Sequence, residues 1–233
     1  MQVTTEEIIY PCSDGQPMAD STIQYKLIVT IKEGCELLFK DDPNVFVAAD
    51  LLWYPLERRN DISQAPDVMV IFGRSKGDRR SYLQFSEDNI APQVVFEIRS
   101  FSDNQTKMSK KFSFYNRYGV EEYYLYDPAE NELIGWQRIE GVLEVIEPIE
   151  GWISPRLGVR FELPETGLEI YRPDGEKFLS YSELDQQREL ERRRAEEEFQ
   201  RAEEASQRAE EASQRAERLA AKLRELNIDP DSI

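Results

Sequence analysis

The apolar positions in the first hundred residues change from helical to strand-like spacing. Apolar residues recur every three or four positions from Ile23 to Leu38, which predicts a helix over residues 21–39. Ser21 stands at its start with Gln24 three positions later, a spacing typical of a capping box. Runs of branched and aromatic residues then predict three strands, over residues 45–55, 67–73 and 93–100.

A second helix and a fourth strand follow these three strands. Apolar and aromatic side chains share one helical face from Thr106 to Tyr118, and Gly119 is typical of a helix C-terminus. Residues 122–128 have the composition of another strand. The order helix, three strands, helix, strand predicts an α/β (α+β) fold whose mixed central sheet is flanked by helices, with residues 21–128 as its core.

Segments on either side of this core are predicted to have a different character. Residues 129–180 contain short strand-like runs separated by Gly and Pro, which predicts a small β extension of the same domain at the sheet edge. Residues 1–20 include Pro11, Gly15 and Pro17 and favour an extended lead-in.

The last fifty residues contain a heptad repeat. RAEEASQ units recur every seven positions, so residues 181–228 are predicted to form one long helix. Alanine occupies most of the a and d positions, and leucine occurs there only at Leu219, Leu223 and Leu226. The pattern favours a coiled coil in a homo-oligomer, most simply a dimer, over a solitary helix with surface ion pairs. Because an alanine seam buries little area, both interpretations stay open.

The composition excludes several kinds of chemistry and of partner. The chain has no histidine and only two cysteines, which excludes Ser-His-Asp and Cys-His catalysis and histidine-based zinc sites. Its net charge of −17 argues against nonspecific coating of nucleic acid but is compatible with a local basic groove. No apolar run approaches the ~18 residues of a membrane span, and the N-terminus lacks a basic export signal, so we expect a cytoplasmic protein with no membrane partner.

Two acidic residues lie in the most apolar predicted strands. Asp67 begins the second strand and Glu97 lies inside the third. Burying an unpaired carboxylate is costly, so each needs a cation, a proton or solvent. If the strands are neighbours, these carboxylates and the carbonyl of Ile98 predict a site for Mg²⁺, or for Mn²⁺. Glu36 and Asp50 are further candidate ligands, although a solvated or capping role is the simpler interpretation of each.

Basic residues follow both carboxylates in the sequence. Arg99 lies two positions after Glu97 on the same strand face, where a cation can orient a nucleophile and offset phosphate charge. The loop after the second strand and the start of the second helix supply candidate phosphate contacts, which are Arg74, Lys76, Arg79, Arg80 and Lys107. For the loop alone, a solvated turn is the simpler interpretation.

Five ordered segments carry a resemblance to a known family. They are PDVMVIFG, QVVFEIRS, KFSFYNRYGVEEYYLYDP, GWISPRLGVRFEL and YRPDGEKFL. Over roughly residues 20–185 the chain resembles the bacterial restriction-endonuclease-domain family, a branch of the PD-(D/E)XK nuclease superfamily. The resemblance implies a restriction endonuclease-like fold and Mg²⁺-dependent phosphodiester hydrolysis, with Asp67 and Glu97 as metal ligands. It also implies a catalytic lysine on the following helix, at Lys111, with Tyr115 as its neighbour.

The turn after Glu97 departs from the pattern of that family. Arg99 stands where the family usually has leucine, and Phe101-Ser-Asp103 replaces a proline-containing turn. An arginine at this position either clamps a phosphate or pairs with Glu97 and neutralises the site. It cannot serve as a base, because it keeps its proton.

Two functional hypotheses follow from these observations. The first is a Mg²⁺-dependent DNA endonuclease, in which Asp67 and Glu97 hold the metal while Lys111 or Arg99 steadies the scissile phosphate. The second is a catalytically inactive nuclease-fold protein that binds or scaffolds partners and oligomerises through its C-terminal helix. The strong acidity and the altered turn favour the second hypothesis. The sequence does not distinguish DNA from RNA or small phosphodiesters as the substrate.

Overall fold

The computed structural model describes residues 8–225, with the side chain of Leu223 excepted. Residues 1–7 of the predicted lead-in and Leu226 of the predicted heptad seam lie outside the described residues. The chain divides after Ser180 into two compact units. In chain order the elements are α1 (Thr22–Leu38), β1 (Val45–Ala48), β2 (Trp53–Tyr54), β3 (Val68–Phe72), β4 (Tyr82–Leu83), β5 (Val94–Ile98), α2 (Gln105–Tyr118), β6 (Glu122–Asp127), β7 (Glu132–Ile139), β8 (Val142–Val145), β9 (Arg160–Glu162), β10 (Glu169–Tyr171) and α3 (Tyr181–Glu225).

The first unit is built on a six-stranded mixed sheet with the strand order β1-β3-β5-β6-β7-β8. Within this sheet the central pair β5–β6 is parallel and the other described pairs are antiparallel, and the connection from β5 to β6 runs through α2. Two small sheets, β2–β4 and β9–β10, accompany it. The predicted α/β fold with a mixed central sheet flanked by helices is confirmed.

Each face of the central sheet packs against its own apolar core. On one face Ile28 and Ile31 of α1 pack with Val70 and Phe96, and this core includes residues of β9 and β10. On the other face Met69, Val95 and Tyr123 pack with aromatic residues of α2. Because successive side chains of a strand point to opposite faces, β5 contributes Phe96 to the first core and Val95 to the second. Glu97 therefore lies on the same face as α2.

Helix α1 begins at the predicted cap Ser21, and α2 begins at Asn104, a cap that the sequence analysis did not single out. The Ser21 hydroxyl accepts a hydrogen bond from the Gln24 N–H at 3.2 Å, and the Asn104 side chain caps α2 by accepting from the Lys107 N–H at 2.9 Å. Gly119 ends α2 in the left-handed conformation, with φ of 93°. These caps fix where the helices start and so which side chains of α2 face the sheet.

The structure differs from the sequence-based prediction at the first strand. Residues 45–55 were expected to form one strand but form β1 and β2, because Asp50 between them has a left-handed backbone with φ of 48°. Aspartate tolerates this conformation better than most residues. The predicted β extension is also divided, since β7 and β8 continue the central sheet while β9 and β10 pair with each other.

The described part of the second unit is the 45-residue helix α3, whose described side chains are almost all exposed. Ion pairs at i,i+4 spacing run along it, such as Arg193 with Glu189 at 3.1 Å. These pairs are typical of a solvated helix surface. Within residues 8–225, none of the helices combines the length and the apolar composition needed to cross a membrane.

Candidate active site

The register of β3 and β5 brings the two predicted carboxylates together. Val68 pairs with Phe96 and Met69 with Val95 in this antiparallel ladder. Continued by one residue, the same register sets Asp67 opposite Glu97. Directly opposed residues point to the same face, with Cβ atoms ~5 Å apart. The carboxylates of Asp67 and Glu97 therefore share the face of the sheet that α2 covers.

Asp67 is held against the backbone of β5. Its Oδ2 accepts a hydrogen bond from the Ile98 N–H at 2.6 Å, and the residue is 8% exposed. The carbonyl of Ile98 accepts from Gln24 Nε2 of α1 at 2.9 Å. Gln24 was not predicted as a site residue, and its place in the helix cap gave no sign of this second role. The carbonyl predicted as a metal ligand thus already has one hydrogen bond.

Glu97 is bonded to two residues of α2. Lys111 Nζ lies 2.6 Å from its Oε2, and the Tyr115 hydroxyl donates to its Oε1. Lys111 and Tyr115 are four residues apart and so share one helix face, as the family resemblance implied. Glu97 is only 1% exposed. The structure therefore brings Asp67, Glu97, Lys111 and Tyr115 into one cluster.

Burial and mutual charge set the protonation of this cluster. Burial raises the pKa of Asp67 well above its usual range, the Glu97 charge raises it further, and Lys111 opposes both. Burial alone would lower the pKa of Lys111, but Glu97 and Asp67 outweigh it, so that the pKa of Lys111 is raised. Burial, with a contribution from Glu97, also raises the pKa of Tyr115. At neutral pH Lys111 is therefore a cation and Tyr115 a neutral donor.

A pocket opens beside the cluster. Its volume is about 150 Å³, and its lining includes Asp50, Asp67, Lys107 and Lys111. We call this space the catalytic pocket, after the role proposed for it below. Burial, with contributions from Asp14 and Glu97, raises the pKa of Asp50. The lead-in segment between residues 14 and 20 forms one wall of the pocket, a role that its Pro and Gly content did not predict.

Most of the other predicted basic site residues have acidic partners elsewhere. Arg99 pairs with Asp127 at 2.7 Å and does not contact Glu97 in the described structure. Arg74 pairs with Asp88 and Arg79 with Glu87, both at 2.6 Å, and Arg80 Nη2 lies 3.6 Å from Cys12 Sγ. Lys76 lies 3.0 Å from Glu36. Glu36 is therefore paired with Lys76 and does not belong to the Asp67 cluster. Lys107 pairs with Asp103 at the edge of the catalytic pocket.

The donor set of the cluster fits a hard divalent cation. Asp50, Asp67 and Glu97 place three carboxylates near Lys111, so a further positive charge would relieve the repulsion among them. Mg²⁺ is held in proteins by one or two carboxylates and keeps several waters. Among residues 8–225 no three acidic, cysteine or histidine groups enclose a metal position. Asp67 and Glu97 are the residues that would hold it, with Glu97 exchanging one of its hydrogen bonds.

A hydroxyl that sequence reasoning did not select lies beside this cluster. Tyr123 on β6 is buried, and among the described residues its hydroxyl has no hydrogen-bond partner. Its ring stacks on Trp136 and tilts against Tyr115. Burial, with the nearby charges of Glu97 and Asp67, raises the pKa of Tyr123. The strand pattern around residue 123 indicated burial only.

Comparison with known proteins gives a family and several similar solved structures. The family model Uma2, described as "Putative restriction endonuclease", matches residues 7–164. A solved structure described as "a putative nuclease belonging to DUF820 from Anabaena variabilis ATCC 29413" is similar over 61% of this chain and 75% of that chain, with 20% identity and a TM-score of 0.42. No curated protein matches this chain. The residues matched by the family model include the whole Asp67 cluster.

Proposed function

The chain belongs to the Uma2 family of restriction endonuclease-like proteins, and we propose that it is a Mg²⁺-dependent endonuclease that hydrolyses phosphodiester bonds in DNA. The observation that carries the proposal is the buried cluster in which Asp67 and Glu97 face each other across two strands while Lys111 contacts Glu97 at 2.6 Å. Burial beside other charged groups, which raises the pKa of Asp67, is typical of functional sites.

In this proposal the side chains have distinct roles. Asp67 and Glu97 hold the metal, which when bound supplies positive charge to the phosphate and activates water. Tyr115 keeps the Glu97 carboxylate oriented, because its neutral hydroxyl donates to Oε1. The backbone N–H of Ile98 does the same for Asp67. Both carboxylates thus keep one oxygen fixed by the protein.

Lys111 is the cation that we assign to the scissile phosphate. It lines the catalytic pocket, and its ammonium is held by Glu97. With Glu97 engaged by a metal, the ammonium of Lys111 would be available to the pocket that it lines. A fixed positive charge there stabilises the charge that builds up on the phosphate as it is attacked. Lys107, half exposed at the pocket edge, supplies a second phosphate contact.

The proposal is tested by nicking of supercoiled plasmid in the presence of Mg²⁺ or Mn²⁺. We expect nicking that requires the metal and that is lost in Asp67→Asn and in Glu97→Gln. The matched control is Glu36→Gln, since Glu36 pairs with Lys76 away from the cluster. Nicking that persists in both site variants would indicate a contaminating nuclease, and nicking lost in Glu36→Gln would indicate damage to the fold.

Metal binding gives a second measurement that does not depend on activity. Titration with Mn²⁺, followed by calorimetry or by the Mn²⁺ electron paramagnetic resonance signal, should show one site in the full chain. Asp67→Asn should lose that site and Glu36→Gln should keep it. Equal Mn²⁺ binding by the full chain and Asp67→Asn would contradict the assignment of the metal ligands.

The second candidate function is a scaffold built on an inactive nuclease fold. The observation that favours it is that both carboxylate oxygens of Glu97 already have partners, which are Lys111 and Tyr115. On this hypothesis the ion pair replaces the metal, and the long helix α3 carries the function by association. It predicts no nicking and no Mn²⁺ site, so the same two measurements separate the candidates.

A further inference from the structure

A second cavity adjoins the catalytic pocket. Its volume is about 280 Å³, and its walls include Ile23, Arg99, Phe101, Asp127, Pro128 and Glu130. We call it the Phe101 cavity. Ser100 and Asp103 line both spaces, so the turn between β5 and α2 is the wall that they share. A substrate strand in the catalytic pocket would therefore pass directly beside the Phe101 cavity.

The polar side chains of this turn are held by hydrogen bonds, and its aromatic side chain is exposed. The Ser100 N–H donates to Asp103 Oδ2 at 3.0 Å, and the Ser100 and Ser102 hydroxyls lie 3.0 Å apart. Asp103 is tied in addition to Lys107 at the start of α2. Phe101, by contrast, is 86% exposed. The turn is thus held in place by these contacts, and the phenyl ring of Phe101 lines the cavity.

The charges of the Phe101 cavity disfavour a phosphate. Asp103, Asp127 and Glu130 bring three carboxylates to its lining, where Arg99 is the cation, and Lys107 outside the lining pairs with Asp103. Arg99 is already bonded to Asp127 at 2.7 Å. An anion placed here would be repelled, whereas an uncharged group with N–H donors would find acceptors. The cavity therefore suits a neutral ligand with donor groups on its edge.

Part of the remaining lining is apolar. Ile23, Pro128 and Ala129 supply apolar surface in addition to Phe101. The volume lies just below the ~300–1,000 Å³ of pockets for small molecules, which fits one ring system rather than a longer segment. A planar aromatic ligand would stack on Phe101 and direct its donors to the carboxylates. Nucleobases combine a stacking face with such an edge.

We propose that the Phe101 cavity binds one unpaired nucleobase of the substrate strand, stacked on Phe101, next to the phosphate held in the catalytic pocket. The proposal rests on the proposed nuclease function and names its substrate class. A base inside a closed duplex cannot reach the ring, so single-stranded or locally unpaired DNA is the preferred substrate. The carboxylates favour adenine, cytosine and guanine, whose exocyclic amines donate, over thymine.

The experiment uses single-stranded oligothymidylate with one central 2-aminopurine, whose fluorescence is quenched by stacking. Ca²⁺ replaces Mg²⁺ so that the strand is bound without being cut. The full chain should quench the probe, and Phe101→Ala should remove the quenching and weaken binding roughly tenfold, the usual effect of one lost stacking contact. Phe101→Trp should retain both. Phe199→Ala, which removes a 70% exposed ring from α3, is the matched control and should behave as the full chain does.

The outcomes separate this inference from the nuclease proposal. Quenching that is absent, or that is equal in the full chain and in Phe101→Ala, overturns the inference, whether or not plasmid is nicked. Quenching that depends on Phe101 in a protein that never nicks plasmid supports the base site and refutes the nuclease activity. Cleavage of fully paired oligonucleotide as fast as of the single strand, by the full chain, also overturns the inference.

Discussion

Lys111 Nζ lies 2.6 Å from Glu97 Oε2, and both side chains are buried between α2 and the central sheet. The lysine comes from a helix and the glutamate from a central strand, so the pair joins two elements at the site. Asp67 is directed instead to the N–H of Ile98. The ion pair therefore serves stability in the metal-free protein and, on the proposed mechanism, chemistry when the metal is bound.

This dual role can be tested by removing one or both partners of the pair. Lys111→Met should lower the free energy of unfolding by about 3–5 kcal/mol, because it leaves Glu97 buried without a cation. Adding Glu97→Gln to that variant should restore most of the loss but not the nicking activity. Urea denaturation without metal measures the first effect. Lys32→Met, which removes a surface partner of Glu33, should change little.

Tyr115 and Tyr123 are both buried near Glu97, and comparing their phenylalanine variants gives a second prediction about stability. Tyr115→Phe should cost about 1–3 kcal/mol of stability, because it leaves Glu97 Oε1 without its donor. Tyr123→Phe should cost almost nothing, since the Tyr123 hydroxyl has no partner among the described residues. Thermal unfolding of both variants checks the difference. Equal losses would mean that the Tyr115 hydrogen bond contributes nothing.

The sequence predicts the elements of the site better than its contacts. The apolar strand pattern drew attention to Asp67 and Glu97, and the family resemblance selected Lys111 and Tyr115, whose spacing of four places them on one helix face. Arg99 was grouped with Glu97 by strand alternation. It lies beyond the end of β5, where Asp127 competes for it. That competition depends on the pairing of β5 with β6, which local spacing does not reveal.

Long-range contacts escaped prediction for the same reason. Gln24 was expected only to cap α1, and it also donates to Ile98, which is 74 positions away in the sequence. Asp50 was expected inside a strand, and its left-handed backbone ends that strand and brings the residue to the catalytic pocket. Neither role leaves a periodic signal, because each involves one residue and a distant partner.

Glu122 lies on the face of the sheet away from the site, and its titration should make the free energy of unfolding depend on pH. Burial raises the pKa of Glu122 above its ordinary value of 4.5, although hydrogen bonds from Ser154, the Arg156 N–H and Tyr124 oppose the shift. Between 4.5 and the raised pKa the folded chain binds more protons than the unfolded chain at this residue. This contribution to stability is therefore lost as pH rises through that interval.

The variant Glu122→Gln isolates this contribution, because it removes only that titration. Its free energy of unfolding should fall less steeply with rising pH above 4.5 than that of the full chain. Urea denaturation at a series of pH values measures both slopes. Parallel curves for the two proteins would show that Glu122 has the same pKa folded and unfolded.

Gly34 is required because the ring of Phe178 lies close to the backbone of α1 at this position. A Cβ at this position of α1 would overlap the ring of Phe178. Gly34→Ala should therefore destabilise the chain by about 1–3 kcal/mol, the usual cost of overpacking, although alanine favours helices. Glu33→Ala, on the exposed side of the same helix, should change stability by less than about 0.5 kcal/mol. A more stable Gly34→Ala variant would show that the ring moves freely.

Helix α3 allows a direct test of the proposed self-association. If its heptad seam joins two chains, Ala212→Lys with Leu219→Lys places four like charges at the d positions of the dimer and should separate it. The control is Gln207→Lys with Gln214→Lys, which adds the same charge at f positions on the opposite face. Light scattering should give a dimer mass for the full chain and the control, and a monomer mass for the seam variant. A monomer mass for the full chain would instead favour a solitary helix stabilised by its i,i+4 ion pairs.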